Sequence, residues 1–155
     1  EVLLFRPEKH AVRMNKSLER MCVPAISKEM FKEAVLALAD IDRAWVPSQE
    51  GCSLYFRPFA FAMDAFIRVK PSDYYFFIIF CSPVGAYFSG ELKVKIETQY
   101  VRSAEGGIGS AKSGGNYAAS LLPAKKAQEQ GYQQIMWTDA KEHKYIEETG
   151  ASNVM

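Results

Sequence analysis

Apolar positions recur at helical spacing in two stretches near the start of the chain. Over residues 8–22, Val12, Leu18 and Met21 mark one side, Arg13, Lys16 and Glu19 the other, and Pro24 ends the segment. Over residues 28–42, Met30, Phe31, Ala34, Val35, Leu38 and Ile41 fall on one helical face. Ser27 is placed to cap this second helix, because its hydroxyl can accept from the free amides of the first turn. Both stretches predict core-facing helices, and neither carries chemistry.

From Ser53 the period changes. Leu54–Phe61, Ala65–Val69 and Tyr74–Cys81 are rich in aromatic and β-branched residues, are broken by Pro58, Pro71 and Pro83, and read as strands. The small, turn-forming residues Ser82 to Gly90 read as a connector. They place a domain boundary near residue 88 and divide the chain into 1–88 and 89–155. In Lys93–Val101, Val94, Ile96 and Thr98 alternate with Lys93, Lys95 and Glu97, the pattern of a half-buried strand. A glycine-rich loop follows, then a helix over 117–130 closed by Gly131, a strand at Ile135–Thr138, a polar turn at Asp139–Lys144 and a strand at Tyr145–Glu148. The predicted class is α+β.

Composition narrows the function. The chain has 155 residues, 48% apolar and 24% charged, the balance of an ordinary globular protein. Its 19 basic and 18 acidic residues leave a net charge of +1, with no basic stripe for nucleic acid or anionic membrane. Cys22, Cys52 and Cys81 are odd in number and widely spaced, which suits free, mostly buried thiols in a reducing compartment rather than disulfides or a zinc site. The apolar run Tyr74–Cys81 is too short to span a bilayer, and no signal peptide opens the chain, so a cytoplasmic location is expected. The chain begins at Glu1 inside an apolar run and stops at Asn153-Val154-Met155, as a piece of a longer protein would.

The most unusual stretch is Gly106-Gly107-Ile108-Gly109-Ser110-Ala111-Lys112-Ser113-Gly114-Gly115-Asn116-Tyr117, with five glycines in ten residues around one lysine. Such density marks backbone that takes positive φ or approaches another group closely. Gly106-x4-Ala111-Lys112-Ser113 is close to the nucleotide-binding G-x4-G-K-[ST] loop, with Lys112 as a phosphate lysine. That loop needs a helix starting at the lysine. Here an alanine replaces the second glycine and Gly114-Gly115 follows, a pair that is a poor helix start. Taken alone, the loop equally fits an exposed surface lysine.

The surroundings are more specific. Ala111-Lys112-Ser113-Gly114-Gly115-Asn116-Tyr117 resembles the A-K-x-G-G-N-Y signature of branched-chain amino-acid aminotransferases, fold type IV enzymes that use pyridoxal 5'-phosphate. Other segments are similar to that family's in the same order: Phe5-Arg6-Pro7, Tyr55-Phe56-Arg57-Pro58, Ser82-Pro83-Val84-Gly85-Ala86-Tyr87, Tyr100-Val101-Arg102, and Glu148-Thr149-Gly150-Ala151-Ser152-Asn153. The resemblance runs over essentially the whole chain. It implies a small α/β domain at 1–88, followed by the first part of a larger, barrel-like cofactor-binding domain at 89–155.

The resemblance also implies roles. Lys112 would hold the cofactor covalently and, once substrate displaces it, carry the proton removed from Cα; lysine amines lose their proton readily near another cation or in a dry site. Glu148 would pair with the pyridine nitrogen and keep it protonated. Its neighbour Glu147, on the opposite face of an extended segment, is expected to be solvated. Tyr117 would hydrogen-bond the ring oxygen, and Arg6 would bind the phosphate through paired donors. Tyr55, Arg57 and Tyr87 would line a substrate pocket that accepts both an aliphatic side chain and the carboxylate arm of glutamate. Arg102 fits either a supporting role near the lysine loop or a surface position, and His10 and His143 receive no role.

Ile108, Ser103-Ala104-Glu105 and Met155 depart from the family's commonest residues. A substrate-pocket segment that precedes this region in the family, and a second phosphate-binding loop that follows it, are not in the sequence. The implied activity is amino-group exchange between leucine, isoleucine or valine and 2-oxoglutarate, in a homodimer. D-amino-acid aminotransferase and aminodeoxychorismate lyase remain alternatives on the same fold, and a nucleotide-binding module is the alternative from another class.

Overall fold

The computed structural model describes residues 2–88 and 90–153; Ser89 of the expected connector and Met155 lie outside the described residues. The chain forms two compact units, Glu1–Tyr87 and Phe88–Met155, which divide one residue before the expected boundary.

In the first unit, α1 (Pro7–Arg20) and α2 (Lys28–Ile41) are followed by a short 3-10 turn, Arg43–Trp45, and a hairpin of β1 (Ser53–Ala62) and β2 (Tyr75–Val84). Pro7 opens α1 at its first position, where the missing amide is one that no helical partner would have used. Ser27 caps α2 as expected, its hydroxyl accepting from the Met30 amide at 3.0 Å. Between the helices, the Asn15 side chain donates to the Ile26 carbonyl (2.7 Å) and accepts from its amide (3.0 Å), which fixes the turn. The strands pair antiparallel from Ser53↔Val84 to Ala62↔Tyr75.

The core of this unit is Ala11, Phe31 and Val35, packed against Met14, Ile26, Phe56, Phe77 and Ile79. Each fully buried large apolar side chain stabilises by roughly 1.5–3 kcal/mol. The buried helical faces are narrower than the apolar pattern predicts. Met21, Met30 and Ile41 are exposed. On the sheet, Phe56, Phe77 and Ile79 meet the helices, whereas Tyr55, Phe61, Phe76, Ile78 and Phe80 stay exposed, as two-residue alternation requires.

One expected strand is absent. Residues 65–69 form an irregular loop in which Ile67 and Val69 are fully exposed. β1 and β2 pair with each other up to Ala62↔Tyr75, so this stretch falls in the connection between them and pairs with neither. Polar bonds close the loop instead: the Asp73 amide donates to the Asp64 carboxylate (2.7 Å) and the Asp64 amide to the Ser72 hydroxyl (3.4 Å). The three cysteines are free thiols, as expected, but less buried than expected: Cys22 is exposed, and Cys52 and Cys81 are half-buried.

The second unit contains β3 (Val94–Glu97), α3 (Gly114–Glu129), β4 (Gln134–Thr138) and β5 (Ile146–Thr149) in one sheet of order β3-β4-β5. β3 and β4 are parallel and joined through α3, while β4 and β5 are antiparallel. Ala127, Ile135 and Trp137 form its core, with Tyr100, Ala124 and Tyr132 against them. β3 is half the predicted length. The buried Glu97 carboxylate accepts from the amides of Gln99 (2.9 Å) and Tyr100 (3.2 Å), which turns the chain out of the strand. Gly131 (φ 84°) follows α3 as expected.

α3 begins earlier than predicted, at Gly114 rather than at 117. The glycine pair therefore does start a helix here. Asn116, 5% exposed, explains why: its side-chain amide donates to the carbonyls of Ile108 (2.8 Å) and Ala111 (2.7 Å) and pins the first helical turn onto the loop. These bonds offset the entropy that the glycines lose. Among the described residues no helix is long and apolar enough to cross a membrane.

Candidate active site

The site is built in the second unit by the loop between β3 and α3, the first turn of α3, and β5. The loop doubles back on itself. A Cβ on Gly109 would lie 2.3 Å from the Ser103 Cβ, so only glycine permits that approach, and Gly106 sits at φ 74°. With Asn116 holding the carbonyls on either side, the loop delivers Lys112 just before the helix starts. Asn116 belongs to the signature that was read from the sequence, yet its role in fixing the loop was not assigned. A buried amide beside a glycine-dense loop is the signal that could have found it.

Lys112 is exposed, and its ammonium donates to the Tyr117 hydroxyl, five residues on, while lying 4.7 Å from the centre of that ring. Arg102 stands 5.9 Å from the same ring centre. Its Nε donates to the Glu148 carboxylate at 3.0 Å, and its side chain is 14% exposed. Lys112, Tyr117, Arg102 and Glu148 thus form one connected group, with Arg102 as the link between the helix and β5. Of the two positions open to Arg102, the structure shows a mostly packed side chain beside Tyr117 and Glu148 rather than a surface one.

Glu147 was expected to be solvated. It is exposed, but its carboxylate accepts from the Ser103 hydroxyl at 3.1 Å. Consecutive loop residues, Arg102 and Ser103, therefore hold consecutive carboxylates of β5. β5 is itself placed by pairing with β4, where Glu148 lies opposite the buried Trp137. The turn before β5 is closed by Asp139, whose carboxylate accepts from the amides of Lys141, Glu142, Lys144 and Tyr145. The amide of Tyr145, followed by that of Glu142, does most to hold this carboxyl far below the usual carboxylate range. His143 adopts φ 51° in this turn, with Nδ1 3.0 Å from the Thr138 hydroxyl, a structural contact.

Two polar atoms next to Lys112 and Glu148 are buried without a hydrogen-bond partner among the described residues: Arg102 Nη1 and Ser113 Oγ. Buried donors are almost always satisfied, so open ones at a site mark places for an outside acceptor. A lysine amine, a phenol, a guanidinium and a carboxylate in one group can bind an aromatic anion, hold a proton on a ring nitrogen and transfer a proton at carbon.

The remaining sequence candidates lie in the first unit. Tyr55 and Arg57 share the exposed face of β1, with the guanidinium 5.2 Å from the tyrosine ring centre. Arg6 is exposed at φ 46° as the residue before α1, 5.3 Å from the Phe5 ring centre. Tyr87, 80% exposed, follows the end of β2. These four stand in the first unit and the lysine group in the second.

Comparison with known proteins adds to this geometry. The chain is 45% identical, over 99% of its length, to branched-chain-amino-acid transaminase 1 of Bacillus subtilis (strain 168), of which it covers 44%. It is similar in structure to the branched-chain amino acid aminotransferase of Escherichia coli, with a TM-score of 0.70, 26% identity, and coverage of 94% of this chain and 45% of that one. An aminotransferase of Brucella abortus described as bound to the cofactor PLP shares the fold, with a TM-score of 0.71, 20% identity, and coverage of 96% and 51%. The chain spans less than half the length of the curated relative it matches. The family model for amino-transferase class IV matches residues 2–155, and the chain belongs to that family.

Proposed function

We propose that this chain is part of a pyridoxal-phosphate-dependent aminotransferase that exchanges the amino group of L-leucine, L-isoleucine or L-valine with 2-oxoglutarate, giving branched 2-oxo acids and L-glutamate. The observation that carries the reading is Lys112, presented by a pinned glycine loop and bonded to Tyr117 beside the Arg102–Glu148 pair. The buried, unpartnered Arg102 Nη1 and Ser113 Oγ leave donors for the oxygens of a bound anion, so the residues present fit the cofactor. When bound, pyridoxal phosphate supplies a ring that accepts the electrons of the breaking Cα–H bond.

The chain's own residues do the rest. Lys112 would hold the cofactor covalently, and its amine, once substrate displaces it, would move the proton from the substrate Cα to the former aldehyde carbon of the cofactor. Glu148 would keep a proton on the ring nitrogen, Tyr117 would donate to the ring oxygen, and Arg6 would hold the phosphate through paired donors. Tyr55, Arg57 and Tyr87 line the substrate side, where an arginine among aromatic surfaces accepts either a carboxylate arm or an aliphatic side chain. We place a small α/β domain at 1–88 and the first part of a larger cofactor-binding domain at 89–155, in a cytoplasmic homodimer.

Borohydride reduction of the full-length protein, followed by peptide mapping, tests the lysine. The expected outcome is a reduced cofactor adduct on Lys112; an adduct on Lys125 or Lys126 instead would overturn the assignment. The other members of the fold group are separated by donor: conversion with L-leucine supports the proposal, whereas conversion with D-alanine alone points to a D-amino-acid enzyme. A colourless full-length protein that retains ATP would favour phosphate binding by Lys112.

A further inference from the structure

We propose that Arg102 is a positioning residue that sets Glu148 and Tyr117 with a single guanidinium, and so aligns both ends of the cofactor ring. This rests on the reading above but goes beyond it, because Arg102 is given no contact with substrate.

Three observations carry it. Arg102 Nε donates to the Glu148 carboxylate at 3.0 Å. The guanidinium lies 5.9 Å from the Tyr117 ring centre, inside the distance at which a cation is attracted by an aromatic ring. Its side chain is 14% exposed, against 48% for Glu148, so the arginine is the packed partner and the carboxylate the one that is held. A surface ion pair would show the same contact with both groups in water and would do little. A mostly packed guanidinium whose Nη1 is buried and unpartnered is not that kind of contact, since it is partly desolvated and incompletely satisfied.

The consequence is geometric. β5 is a short edge strand of four residues, and Glu148 is half exposed at its end, so nothing in the strand itself limits the carboxylate to one orientation. The planar fork of an arginine limits it, whereas the point charge of a lysine would not. Because the same guanidinium borders Tyr117, and Tyr117 accepts from Lys112, displacement of Arg102 would loosen the acid, the phenol and the lysine together.

The test uses the full-length protein loaded with pyridoxal phosphate, with cofactor release by dialysis and the visible circular dichroism of the bound cofactor as readouts beside activity. Arg102→Met is expected to release cofactor roughly tenfold to a hundredfold more readily, the range set by one lost charge-assisted hydrogen bond, and to weaken the dichroic band. Arg102→Lys, which keeps the charge and is the safer variant for folding, is expected to recover only part of that loss. In the double variant with Glu148→Gln, Arg102→Met should add less than it costs alone, because the charged partner is gone and mainly the Tyr117 contact is left to lose. Additive losses, or an Arg102→Lys protein equal to wild type in release and dichroism, would overturn the proposal. A wild-type protein that carries no borohydride adduct on Lys112 would instead overturn the cofactor reading itself.

Discussion

The two units place their candidate residues by different means. The first rests on apolar burial: Ala11, Phe31 and Val35 meet the inner face of a hairpin, and the outer face, with Tyr55 and Arg57, is left open. The second has its own core of Ala127, Ile135 and Trp137, but it fixes the lysine loop and the turn before β5 with directional polar bonds, among them those of Asn116, Glu97, Arg102 and Asp139. Apolar packing sets where a surface lies but tolerates small displacements, while a hydrogen bond fails beyond a few tenths of an ångström. In the proposed enzyme this would suit a substrate surface that takes aliphatic and anionic side chains, and a cofactor surface that places a proton donor at one atom.

Substitutions in each unit test this contrast. Phe31 is 3% exposed and stacks on Phe77 with ring centres 6.2 Å apart, so Phe31→Ala should cost about 3–5 kcal/mol of stability. Chemical denaturation with probes in each unit would measure it; a loss confined to the second unit would break the division between them.

Arg57→Met concerns selectivity rather than folding. If its guanidinium receives the side-chain carboxylate of glutamate, the glutamate half-reaction should fall by about one to two powers of ten in kcat/KM, roughly 1.5–3 kcal/mol, with leucine affected much less. Cofactor conversion measured with each amino acid separately decides it. Equal losses would mean that Arg57 serves the α-carboxylate or is structural.

Asn116→Ala should cost about 1–3 kcal/mol locally, since two loop carbonyls lose their donor. Hydrogen exchange should quicken over residues 104–113 and leave α1 and α2 unchanged. Unchanged exchange in the loop would show that the glycines alone, and not the asparagine, define it.

The smallest effect is at Asp139. Its folded carboxyl titrates below the unfolded value, near 3.9, so its stabilising contribution is present above that pH and is lost as the pH falls through the folded value. Thermal melting of wild type and Asp139→Ala should therefore differ most near neutral pH and converge progressively below about pH 4. A difference that stays constant down to pH 2 would assign the effect to packing rather than to the ionised cap.

Sequence periodicity by itself determined α1, α2 and the two hairpin strands, because one-sided burial leaves a direct trace in residue order. Local composition also singled out the glycine loop and Lys112, and the order of the motifs pointed to the family. Where elements stop was decided by tertiary contacts that periodicity does not contain. Ala65–Val69 has the composition of a strand but no neighbour to pair with, and β3 ends where a buried Glu97 captures the next amides. The start of α3 at two glycines was unreadable in the same way, for Asn116 supplies the missing stabilisation through carbonyls five and eight residues away. Arg102 shows the limit most clearly. As a residue type it is an ordinary surface cation, and only the pairing of β5 with β4 brings Glu148 within 3.0 Å of it. A charge has its effect through its distance to another charge, and that distance is a property of the fold.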